Sequence, residues 1–126
     1  MILIIGGVYQ GKLAYATERF ALSKEQVYFC SNEDITIPSS KKILYEIDRW
    51  ILALIKADIN VPAKVERFLE HNKDTIVICN DISCGIVPVD PIMRKWREET
   101  GRVMGMLAQH SEEVIRLFCG IPTKLK

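Results

Sequence analysis

The first thirteen residues constrain this chain most. An apolar run, Met1–Ile5, breaks at Gly6-Gly7 and leads into Gly11-Lys12-Leu13. A short, continuous apolar run suits a strand buried on both faces. The segment Gly6-Gly7-Val8-Tyr9-Gln10-Gly11-Lys12-Leu13 then has the G-x-x-x-x-G-K spacing of a Walker A phosphate loop. Glycines let the backbone wrap closely and turn its N–H groups inward. A helix opening at Lys12 would present its amino-terminal amides and positive dipole end to the phosphates. Lys12 would neutralise β- and γ-phosphate charge. The spacing therefore assigns nucleotide binding, of ATP or GTP, to Gly6, Gly7, Val8, Tyr9, Gln10, Gly11, Lys12 and Leu13, with Lys12 also catalytic. One position departs from the motif. The Ser or Thr whose hydroxyl binds Mg2+ is Leu13 here, and leucine has no oxygen to offer a hard cation. Magnesium is thus expected to be held by phosphate and water, or held badly. Such a loop would bind a nucleotide better than it uses one.

The remaining pattern is a series of βα units. A helix is expected over Lys12–Leu22, a strand over Gln26–Cys30 and a polar loop over Ser31–Ser40. Lys41–Ile59 has apolar residues at helical spacing (Ile43, Ile47, Trp50, Ile51, Leu54, Ile55), but its first residues suit a strand as well. Pro62 fits the first turn of a helix running to His71. Asp74–Cys79 reads as an interior strand. Asp90-Pro91 caps and opens a long helix with Ile92, Trp96, Val103 and Leu107 on one face. Glu113–Cys119 reads as a last strand and Gly120–Lys126 as a tail. The fold class that follows is α/β: a mostly parallel sheet flanked by helices, P-loop NTPase-like (RecA-like), in a single domain over residues 1–126.

Composition narrows the partners. A net charge of +1 lacks the basic excess of a sequence-independent nucleic-acid binder. No apolar run reaches the length of a membrane span, and Met1–Ile5 lacks the basic start and length of a signal peptide. The expectation is a cytoplasmic protein with neither nucleic-acid nor membrane partner. Cys30, Cys79, Cys84 and Cys119 lack the paired spacing of zinc sites and read as small buried hydrophobes, with Cys84 set apart by its loop. His71 and His110 read as exposed helix-end residues.

Beyond the interior strand, Asn80-Asp81-Ile82-Ser83-Cys84-Gly85-Ile86-Val87-Pro88 resembles the N-E-V-G-x-G-I-V-P motif of the adenosylcobinamide kinase / adenosylcobinamide-phosphate guanylyltransferase family. Arg94, Trp96-Arg97-Glu98 and Gly101-Arg102 resemble that family's R-x-F-R-D-x-x-G-R helix. Gly120-Ile121-Pro122-Thr123-Lys124-Leu125-Lys126 resembles its G-x-x-x-K-[IL]-K ending. The resemblance implies a P-loop fold, oligomeric assembly and a role in cobalamin assembly and salvage. Family members phosphorylate adenosylcobinamide and then transfer GMP from GTP through a guanylylated histidine. The segment that carries this histidine is reduced here to the histidine-free loop Ser31–Ser40, so guanylyl transfer by that route is not expected. The family's second acid is blurred as well. Glu46 and Asp48 lie near Trp50, but the strict match falls on Tyr45. Asp81 replaces a glutamate, and Met104 an asparagine.

Asp81, at the carboxyl end of a strand, is the acid best placed to act on a substrate hydroxyl or a metal-bound water. The alternative is a turn residue that caps its own backbone. Asp81 and, more weakly, Glu46 are the candidate metal acids. Arg97 and Arg102 suit either phosphate contact or pairing with Glu98 and Glu99. Trp96 suits a core or interface anchor. Gly101 and Gly105 smooth one helix face for close packing against another helix, in this chain or across a homo-oligomer. Two functions remain in view: a kinase on adenosylcobinamide or a similar alcohol, and a catalytically degenerate nucleotide- or corrinoid-binding protein with a regulatory or subunit role.

Overall fold

A computed structural model describes residues 1–83 and 85–126, so Cys84, singled out above, lies outside the described residues. The elements follow the βα alternation: β1 Ile2–Gly6, α1 Lys12–Arg19, β2 Val27–Phe29, β3 Ile43–Tyr45, α2 Ile47–Lys56, α3 Val61–His71, β4 Ile76–Asn80, α4 Pro91–His110, β5 Glu113–Phe118 and β6 Ile121–Lys124. They form one sheet of order β2-β3-β4-β1-β5-β6. Every pairing is parallel except β5 with β6. The fold is therefore the expected α/β arrangement of the P-loop NTPase-like class.

The apolar runs become strands because both sheet faces are covered. Leu3, Leu44, Val77 and Val114 point into a core shared with α2, α3 and α4, around Trp50, Ile51, Leu54, Val65 and Leu107. Ile4, Ile43, Ile78, Ile115 and Leu117 point to the other face, against α1 through Ala16, with Leu13 and Phe20 at its edge. Three helices thus cover one face and a single eight-residue helix the other. Among the described residues no helix is long and apolar enough to cross a membrane.

Several expectations need correction. The first helix stops at Arg19 rather than Leu22, where the chain leaves through Ala21 at φ 50°. The segment from Lys41, left open between strand and helix, needs none: it is a three-residue strand feeding a helix, joined at Glu46. The tail is a strand: Ile121–Lys124 pairs antiparallel with Ile115–Phe118. On α4 the buried face includes Val103 and Leu107, but Ile92 is 47% exposed, since the first turn projects past the core. Among the described residues Gly101 and Gly105 pack on no other helix, because a Cβ at either would meet nothing within 4 Å.

Candidate functional site

Strand order fixes where the site lies. From β1 the chain crosses in one direction to β2, and from β4 it crosses over β1 to β5. Connections leave β1 and β4 in opposite directions, and their carboxyl ends form the crevice where open α/β sheets bind ligands. The register sets Gly6 beside Asn80 there, and the Asp81 N–H donates to the Gly6 carbonyl at 2.9 Å.

The loop from Gly6 to Lys12 is shaped by positions that only special backbone conformations satisfy. Gly6 has φ 154°, and a Cβ on it would lie 2.5 Å from the Leu117 carbonyl oxygen, a backbone atom that cannot yield. Gly11 has φ 86° and caps α1 with no side chain, which leaves the first-turn amides of the helix to the loop side. Tyr9 has φ 60° and is 99% exposed. Lys12 runs back under the loop: the residue is 3% exposed and its Nζ donates to the Gly7 carbonyl at 2.5 Å. Burial holds the Lys12 ammonium below the usual lysine value, partly offset by attraction to Asp48 and, more weakly, Glu46. Leu13 turns its side chain onto the α1-side core.

Across the crevice stands a group the sequence only half revealed. Asp48, on the first turn of α2, is 2% exposed. Its Oδ1 accepts the Asn80 backbone N–H at 3.0 Å and its Oδ2 accepts Asn80 Nδ2 at 3.3 Å. Desolvation raises its pKa, against those hydrogen bonds from Asn80. Asn80 Nδ2 also reaches Glu46 Oε1 at 3.3 Å, and Glu46 Oε2 pairs with Arg49 Nε at 2.7 Å. Glu46 itself sits at φ 60°, ψ 55°. A non-glycine residue there costs about 1–2 kcal/mol. Of the five such residues described, Tyr9, Glu46 and Cys119 all lie at the carboxyl end of the sheet. Ala21 and Asp58 merely end helices, where a left-handed residue is common. Strain concentrated at one end of a sheet is a mark of a functional site. Trp96 anchors α4 here by donating its Nε1–H to the Asp48 carbonyl at 2.6 Å.

The fold therefore joins Gly6–Lys12, Glu46, Asp48 and Asn80, whereas the sequence singled out Asp81 and Glu46. Asp81 lies beside them, with its Oδ1 accepting the Ser83 N–H at 3.0 Å and Ser83 Oγ at 2.5 Å. That is the turn-capping geometry named as its alternative. Arg97 reaches back to the loop after β4 and leaves the glutamates to Arg102. It donates to the carbonyls of Ser83, Gly85 (3.2 Å) and Ile86 (3.0 Å), and Arg94 donates to that of Val89 at 2.7 Å. Two α4 arginines thus brace the loop after β4, whose Ile86, Val87 and Val89 face solvent. Arg102 pairs with Glu98 and Glu99 as expected. His71 and His110 end α3 and α4, immediately before β4 and β5 begin. They lie at the amino end of the sheet, opposite the Gly6–Lys12 loop.

The donor set does not make a resident metal centre. No group of three His, Cys, Asp or Glu side chains converges among the described residues. Leu13 offers no oxygen, and the Glu46 and Asp48 oxygens already accept hydrogen bonds from this chain's own residues.

A family model described as cobinamide kinase / cobinamide phosphate guanyltransferase matches residues 34–125. The interval takes in Glu46, Asp48 and Asn80 and leaves the Gly6–Lys12 loop outside. The bifunctional adenosylcobalamin biosynthesis protein CobU of Salmonella typhimurium is 35% identical over 80 residues, 64% of this chain and 39% of that protein. Its namesake from Escherichia coli K12 is 34% identical over 80 residues, with the same shares. In each case the aligned stretch is well under half of the relative's length.

Proposed function

The chain belongs to the cobinamide kinase / cobinamide phosphate guanyltransferase family, and from that premise we propose that it binds a nucleoside triphosphate at Gly6–Leu13 and acts at most as a kinase on adenosylcobinamide. The observation that carries this reading is Lys12: a nearly buried ammonium, held across a glycine loop and facing the carboxylates of Asp48 and Glu46. A desolvated cation in a cleft is a costly feature, and functional sites are where such groups gather.

In this reading the loop amides and Lys12 hold the β- and γ-phosphates. Magnesium enters with the triphosphate as part of the substrate. Asp81, at the mouth of the crevice, is the acid assigned to the acceptor hydroxyl. The solvent-facing Ile86, Val87 and Val89 offer a bulky acceptor an apolar rim, braced by Arg94 and Arg97. Guanylyl transfer is left out, because both histidines sit at the far end of the sheet and the loop over 31–40 has none.

One observation favours the second reading, nucleotide or corrinoid binding without turnover. Leu13 packs into the core where a hydroxyl would face the cation. A single assay separates the two. The protein is incubated with magnesium and ATP or GTP, with and without adenosylcobinamide, and nucleoside diphosphate release is followed. Acceptor-dependent release that vanishes in Lys12→Ala supports the kinase. Saturable binding with no release supports the degenerate binder. No nucleotide binding refutes the kinase and the nucleotide-binding form of the second reading.

A further inference from the structure

A two-residue hairpin turn closes through its flanking residues and directs the amides of its two central residues outward. Between β5 and β6, Phe118 faces Ile121, and Cys119 and Gly120 between them have φ 52° and 74°. Two consecutive positive values are the type I′ pattern. Both outward amides end on one residue of the phosphate loop. The Cys119 N–H donates to Gln10 Oε1 at 2.5 Å, and the Gly120 N–H donates to the Gln10 main-chain oxygen at 3.1 Å.

The same hairpin meets the loop on either side of Gln10. Gly6 passes so close to the Leu117 carbonyl that no Cβ fits, and a Cβ on Gly11 would stand 3.7 Å from Gly120 Cα. Tyr9, at the tip, is 99% exposed and contributes no packing. Among the described residues Gln10 is therefore the loop side chain that bonds the hairpin.

We propose that Gln10 is the positioning residue of the phosphate loop, fastening it to the β5–β6 turn so that the loop holds its shape before an anion arrives. This rests on the nucleotide-binding reading above. A loop ordered in advance loses little further entropy on binding, so the fastening is read out as affinity. The side-chain bond needs an acceptor carried on Cδ. Methionine has the length without the acceptor, and glutamate keeps both.

The test uses the intact chain as wild type, Gln10→Met, Gln10→Glu and Lys12→Ala. Amide hydrogen exchange is followed by NMR, and inorganic tripolyphosphate is titrated by calorimetry. In Gln10→Met the amides of Cys119 and of residues 7–12 should exchange about tenfold faster, the worth of one hydrogen bond. Gln10→Glu should restore protection at Cys119, and Tm should fall by only a few degrees in Gln10→Met, as the loss of one hydrogen bond implies. Tripolyphosphate affinity should fall about five- to tenfold in Gln10→Met. Wild-type exchange across residues 7–12 in Gln10→Met overturns the proposal, as does unchanged affinity in that variant when Lys12→Ala abolishes binding. If the wild type ignores tripolyphosphate while exchange responds as described, the fastening stands and the nucleotide reading fails.

Discussion

Lys12 and Asp48 are both charged groups that the fold shelters from water, and each is stabilised less by its neighbours than burial penalises it. The consequence can be measured. A lysine whose folded pKa is lowered costs stability while it is charged, and the cost is relieved as pH rises through that folded pKa. Below that folded pKa the cost is fully present. Lys12→Met should therefore keep or raise Tm at pH 7 while abolishing nucleotide binding, checked by thermal melts and nucleotide titration. For Asp48 the folded pKa is raised. Its favourable contribution is complete below the unfolded carboxyl value and is lost as pH rises through the folded one. Asp48→Asn should gain on the wild type between pH 3 and pH 7 in urea unfolding, and a difference that narrows over that range would contradict the assignment. Gly6→Ala makes the opposite kind of prediction. Its methyl would meet a backbone oxygen at 2.5 Å, so unfolding free energy should drop by about 2 kcal/mol or more. At this scale the glycines and Lys12 were legible because their spacing is rigid. Asp48 was only half legible. An acid on the first turn of an amphipathic helix reads as solvent-facing, and only β4 running alongside, with Asn80 at its end, shows that it is buried. Gln10 was legible as a loop member but not as a fastener, because its partner lies more than a hundred residues away.

Elements that bury a continuous apolar set were read outright, whereas elements made by their neighbours were left open, as β3 was, or missed, as β6 was. β1 and β4 announce themselves as unbroken apolar runs. β3 has only three residues and merges into the helical pattern of α2. β6, with the sequence Ile-Pro-Thr-Lys, is exposed along its whole length and exists through its ladder with β5. No periodicity in four solvent-facing residues could have revealed it. The long helix yields a further test. Nothing lies within 4 Å of a Cβ at Gly101 or Gly105, and glycine costs a helix interior about 1 kcal/mol relative to alanine. Gly101→Ala and Gly105→Ala should each raise the stability of the isolated chain by about that amount. If instead they lower an association constant measured by sedimentation, the smooth face is an interface between copies.

On the scale of the molecule, the two sheet faces are unequal, and the cysteines report on the better covered one. Cys30 and Cys79 both lie in the core under α2, α3 and α4. Burial pushes the Cys30 thiol up to about 12 and raises Cys79 well above its ordinary value. Thiolate is the reactive form, so neither should alkylate at pH 7.5 without unfolding. Mass-mapped labelling should find Cys119 modified quickly, and Cys30 and Cys79 modified together at the rate of global opening. Labelling of Cys30 well ahead of Cys79 would mean that the β2 edge opens independently.

The arrangement of β1 has a consequence in time. It precedes both of its neighbours, β4 and β5, in the chain, so it waits for residues 76–80 and 113–118 before it can pair on both sides. The glycine turn that follows it leans on residues 117–120. During synthesis the emerging polypeptide therefore displays the glycine-loop sequence long before it possesses the shape proposed to hold phosphate. Affinity for nucleotide should switch on abruptly as the β5–β6 hairpin clears the exit tunnel.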